Sequence, residues 1–108
     1  MTVENFAKLS GFELITMPRP DAVIDGAYVG DLLSWVMGRA GEGNLWITIM
    51  TNVNIVAVAM LREISAIILA EGVEIDADVI EAASLKGVNI LRTPLKSYEA
   101  AIKVAEII

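Results

Sequence analysis

The second half of the chain alternates short apolar runs with stretches of helical length, and that rhythm limits the folds open to it. Residues 45–50, 65–69 and 88–91 are brief runs rich in Ile, Leu, Val and Ala, each the length of a strand. Residues 53–62, 76–86 and 97–107 follow them and read as helices. Two consecutive βαβ units and a closing helix result, which predicts parallel strands joined by right-handed crossovers. The runs carry few polar positions because strands covered by helices on both faces meet apolar neighbours on each side. A hydrophobic fraction of 56% fits that demand. The class is therefore α/β, with a mostly parallel sheet.

The first half is less regular. Val3, Phe6 and Leu9 lie about one turn apart, so residues 2–9 read as a short helix capped by Thr2 and stopped at Gly11. Residues 12–16 make a first strand. Met17-Pro18-Arg19-Pro20 then excludes regular structure and reads as an exposed connector. Residues 22–29 look extended, with a bulge expected at Gly26. Gly30-Asp31 opens a helix whose apolar face holds Leu32, Leu33, Trp35, Val36 and Met37. Residues 38–44 form a glycine-rich loop. Asp76 and Ser97 are the expected N-caps of the last two helices, and Gly87 the left-handed stop of the first of them. With 108 residues, the whole chain is expected to form one unit, residues 1–108.

Charge and residue content exclude several functions. A net charge of −6 with eight scattered Lys and Arg argues against nucleic acid, whose phosphates need a basic surface. Without Cys or His there is no disulfide, no thiolate or imidazole metal site and no histidine-based triad. Met1 to Ser10 carries Glu4 and Lys8 and does not resemble a secretory leader, so a cytoplasmic protein is expected. Residues 43–61 have no charge and approach the length that spans a bilayer. Asn52 and Asn54 would then face hydrocarbon unpaired, and no membrane partner is expected.

Residues 46–101, preceded by the segment DGAYVGDLLSWVMGRA at residues 25–40, resemble the DRTGG domain family. The resemblance implies a three-layer α/β/α domain, similar in fold to the N-terminal domain of HPr kinase, that often dimerises and regulates or scaffolds without a reaction of its own. Members accompany phosphotransacetylases or pairs of CBS domains in certain pyrophosphatases, and others stand alone. The family's Asp-Arg pair falls near Thr51-Asn52 here. Its Thr-Gly-Gly falls near Ala70-Glu71-Gly72, where only the last glycine remains.

Binding sites in parallel α/β sheets gather where strands end and helices begin. The candidates are Thr51, Asn52 and Asn54 after the strand ending at Met50, Glu71 and Gly72 after Leu69, and Thr93 after Leu91. Tyr28, Gly30 and Asp31 form a second group. Neutral donors beside free helix N–H groups favour a small anion. The same residue types are also preferred caps, which is the competing structural role. Gly38, Gly41 and Gly43 lack the Lys-Ser/Thr ending of a phosphate loop and lie between a helix and a strand, the wrong order for one. Glu71, Glu74, Asp76 and Asp78 match no known cation loop, so neither a metal nor a cofactor is expected. Trp35, Met37, Trp46, Met50 and Met60 divide between core and exposed apolar surface.

These observations favour a non-enzymatic regulatory or scaffolding module. It is expected to self-associate as a two-fold dimer and to bind a small anionic metabolite or nucleotide. The alternative is an accessory subunit that gives its apolar surface to a different protein in a larger redox or signalling complex.

Overall fold

The computed structural model describes residues 1–108. Elements follow in the order α1 (Val3–Ser10), β1 (Glu13–Thr16), β2 (Ala27–Val29), α2 (Leu33–Arg39), β3 (Leu45–Thr48), α3 (Asn54–Leu61), β4 (Ala66–Leu69), α4 (Ala77–Lys86), β5 (Ile90–Arg92) and α5 (Ser97–Ile107). Five strands form one sheet in the order β1-β5-β4-β3-β2. β2 to β5 are parallel, and β1 joins the β5 edge antiparallel. The α/β class and the mostly parallel sheet are as the sequence predicts.

Period-two alternation in the central strands supplies both faces of the core. Trp46, Ile67, Leu69 and Ile90 pack beneath α2, α3 and α4, with Val36, Ile55, Val56 and Val79 above them. Leu45, Ile47, Ile68 and Leu91 point the other way, toward Val3 and Phe6 of α1 and Val104 of α5. Every residue of β3 and β4 is buried, which is why these strands read as unbroken apolar runs. Each fully buried Leu or Ile side chain contributes roughly 1.5–3 kcal/mol relative to exposure. Phe6 meets Phe12 edge to face at 5.7 Å, fixing α1 against the start of β1.

Several local expectations need correction. Gly26 is not a bulge. It precedes β2 with φ of +75°, and the irregular register lies in β1, between Leu14 and Thr16. Helix α2 begins at Leu33, because Asp31 turns its carboxylate to β3 instead of capping α2. Asp76 stands at the N-cap of α4 without a side-chain cap bond, whereas Gly87 does end α4 at φ of +74°. Ser97 is the first residue of α5 and not its cap. Residues 43–61 divide between β3 and α3, and no helix is long and apolar enough to cross a membrane.

Candidate functional site

Four parallel strands bring the turns after β2, β3, β4 and β5 to one rim of the sheet. All the candidate residues fall at or beside this rim, so the two groups read from the sequence become one. The structure gives them different duties.

After β2, the Tyr28 ring lies over Gly30, where an added Cβ would stand 2.8 Å from a ring carbon. A larger residue at Gly30 would have to displace that ring. The Gly30 carbonyl accepts from the Trp46 indole at 2.9 Å, and its N–H donates to Ile47 at 3.1 Å. Asp31 Oδ1 accepts from the buried Thr48 hydroxyl at 2.7 Å and from the Ile49 amide at 3.0 Å. That carboxylate closes the end of β3, a role that the spacing of 17 residues conceals.

After β4, Glu71 and Gly72 both take positive φ, +63° and +65°. The Val73 amide reaches back to Ala70 at 3.4 Å across this turn. Two left-handed residues in a row explain why a family pattern would place two glycines here. In this chain Glu71 accepts the conformation and uses its side chain, whose Oε2 accepts from the Ser97 amide at 3.0 Å. Glu71 thus caps α5 from outside the helix. The Gly72 amide donates to Thr93, and the Thr93 hydroxyl accepts from Leu95 at 3.2 Å. Thr93 is buried, so its hydroxyl serves the turn.

The turn after β3 is made of neutral residues. Asn52 Oδ1 accepts from the Asn54 amide at 2.9 Å, an Asx turn that starts α3. The amides of Thr51, Asn52 and Val53 find no acceptor in the chain, and the side chains of Thr51 and Asn54 make no hydrogen bond. Unpaired amides also precede α2 and α4, but carboxylates stand beside those (Asp31, Glu74, Asp76 and Asp78), whereas the three free donors at the positive end of α3 meet no acid in the first turn and suit an anion best.

Charge on the rim is mixed. Arg92 pairs with Glu13 at 2.7 Å and Glu74 at 3.5 Å. The hydrogen bond from Glu13 raises the guanidinium above its ordinary pKa, partial desolvation opposes that rise, and the charges of Glu13 and Glu74 add to it. Lys96, exposed at the start of α5, pairs with no carboxylate and went unnoticed in the sequence because a lone lysine carries no pattern. No cluster of acidic side chains is placed to hold a metal ion.

The rim is an open shelf. Concavities lie elsewhere: an apolar groove of about 390 Å³ begins at Val53 and Asn54 and runs between α3 and α4. A polar hollow of about 340 Å³ opens at the opposite end of the sheet, beside Glu42 and Glu63. Arg19 also lines it, but the two carboxylates outnumber that one cation and oppose an anionic guest there. Among the aromatic and Met candidates, Trp46 is core, Met37 and Met50 pack against it in part, and Trp35 and Met60 are exposed.

This fold and rim define a parallel-sheet α/β module whose polar groups collect at the carboxyl ends of its strands. The model of the DRTGG domain matches residues 28–107. The chain belongs to the DRTGG domain family. A comparison with curated proteins finds no match. Among solved structures, the chain is similar to the CBS and DRTGG domains of the regulatory region of a Clostridium perfringens pyrophosphatase, complexed with its activator diadenosine tetraphosphate. The TM-score is 0.73 at 17% identity, over 95% of this chain and 45% of that one. The likeness establishes the shared fold, and this chain spans less than half of that relative.

Proposed function

We propose that residues 1–108 act as one non-enzymatic regulatory unit that self-associates in the cytoplasm and binds a small anionic ligand of the nucleotide class. The observation that carries the ligand reading is the run of unpaired amides at Thr51, Asn52 and Val53, at a helix start with no acid in its first turn. The Thr51 hydroxyl and the Asn54 amide flank these donors and are free to bind phosphate oxygens or a sugar. Asp31, Glu71, Gly72 and Thr93 shape the shelf, and Tyr28 with Gly30 sets its outer edge. Nucleotides come first among anions because the regulatory region of the pyrophosphatase relative holds diadenosine tetraphosphate.

Thermal unfolding across adenine nucleotides, diadenosine tetraphosphate and inorganic phosphate tests the reading. A ligand specific to the native state raises stability by about 2.7 kcal/mol at one hundred times its Kd. The midpoint should rise with ligand concentration for at least one nucleotide. Unchanged midpoints across the panel at millimolar concentrations would sink the ligand reading.

A further inference from the structure

Helix α3 carries no charged residue, and beyond Asn54 at its start its outer face is apolar like its inner one. Ile55, Val56, Val58 and Ala59 are buried against the sheet. Val53, Ala57, Met60 and Leu61 recur at helical spacing on the outside, with Val53 54%, Met60 45% and Leu61 69% exposed. A helix apolar all round is normally buried all round. α3 is also the middle of three helices, flanked by α2 and α4, so the bare stripe lies at the centre of that layer.

We infer that the α2–α3–α4 layer is the surface through which two copies of this chain pair, with the two α3 helices antiparallel across a two-fold axis. The inference rests on the self-association proposed above and names the face that performs it. Self-complementarity selects a second copy as the occupant. The exposed Met60 and Leu61 form part of the wall of the groove between α3 and α4, so one patch presents a hollow and, on its rim, apolar side chains that can enter the partner copy's hollow. An isologous contact requires that combination.

Charge points the same way. Two copies at −6 repel overall, and the α3 stripe is the part of the surface without acid. On α4, Asp78 lies in the first turn and Lys86 in the last, eight residues apart on the stripe that also holds Ala82. Antiparallel pairing sets each Lys86 beside the partner copy's acidic first turn, whereas parallel pairing does not.

Size sets a limit. Extents of 29 × 25 × 24 Å give one face a cross-section on the order of 600–700 Å², under the ~800 Å² per partner of a standard interface, so pairing needs most of that face. The same layer presents the exposed Trp35, which stacks on Arg39 at 4.0 Å.

Sedimentation equilibrium from low to high micromolar concentration should find the wild type dimeric. Met60→Glu should raise the dimer Kd at least about 100-fold, because the carboxylate must leave water to enter the interface. Far-UV circular dichroism verifies that the exposed site tolerates the change. Lys86→Glu should weaken pairing, and adding Asp78→Lys should restore it. The chain has no cysteine, so Ala57→Cys should cross-link on oxidation while Glu106→Cys, on α5 beneath the opposite face, should not. A wild-type dimer that persists in Met60→Glu and fails to cross-link through Ala57→Cys overturns this face and leaves self-association standing. A wild type that stays monomeric throughout overturns both and leaves the stripe to a different protein.

Discussion

The two ends of the sheet treat their polar groups differently. At the amino ends of the strands, side chains are spent on the protein's own backbone. Asn89 is buried, donates to the carbonyls of Arg19 and Ser65 at 2.7 and 2.9 Å, and accepts from the Arg19 amide at 2.9 Å. Ser65 donates to Val23, and Asn44 joins Gly41 to Asp25. These bonds fasten the proline-containing connector and the glycine loop, neither of which has ladder partners of its own. At the carboxyl ends, Asp31, Glu71, Asn52 and Thr93 also close turns, yet the start of α3 keeps three amides unused. The amino end ties down its loops and lines its hollow with Glu42 and Glu63, while the turn into α3 offers free amides with no acid in the first helical turn.

The contrast can be broken by substitution. Asn89→Leu should have the largest effect, about 3 kcal/mol of stability lost, since it strands the amide and carbonyl of Arg19 and the carbonyl of Ser65. Urea unfolding measures it, and a loss under about 1 kcal/mol would mean that the amino end is not held in this way. Asp31→Ala should cost about 1.5 kcal/mol by orphaning the buried Thr48 hydroxyl and the Ile49 amide. It also removes a negative charge from the shelf, so titration calorimetry should show nucleotide affinity unchanged or higher. Weaker binding would make Asp31 a ligand contact. The smallest effect on stability sharpens the contrast most. Asn54→Asp sets a carboxylate at the positive end of α3, raising stability by about 0.5 kcal/mol while lowering nucleotide affinity several-fold. Stability and affinity moving in the same direction would place the ligand elsewhere.

Much of the architecture is legible in the sequence because strand and helix leave periods of two and 3.6 in the apolar pattern. β3, β4 and β5 and the helices between them lie within two residues of their expected bounds. Boundaries slip where polar side chains choose distant partners. The helix expected to open at Gly30-Asp31 starts later because Asp31 binds across to β3. The cap expected at Ser97 is supplied by Glu71, 26 residues upstream. The site was legible as a set of turns, since Thr, Asn, Gly and Asp mark strand ends. Which of them remain free was not, because a cap and a ligand contact use the same residue types.

By itself, then, the sequence determined the element types, the parallel core and the absence of cysteine and histidine chemistry, all of which follow from local pattern or residue content. Tertiary structure decided that β1 pairs antiparallel with β5, that Asn89 holds the connector 70 residues away, and that α3 is left bare on its outer side. The reason is physical. Hydrophobic periodicity tells a segment that it must bury a face, while the neighbour that covers it is selected only when the packed chain brings distant groups within contact range.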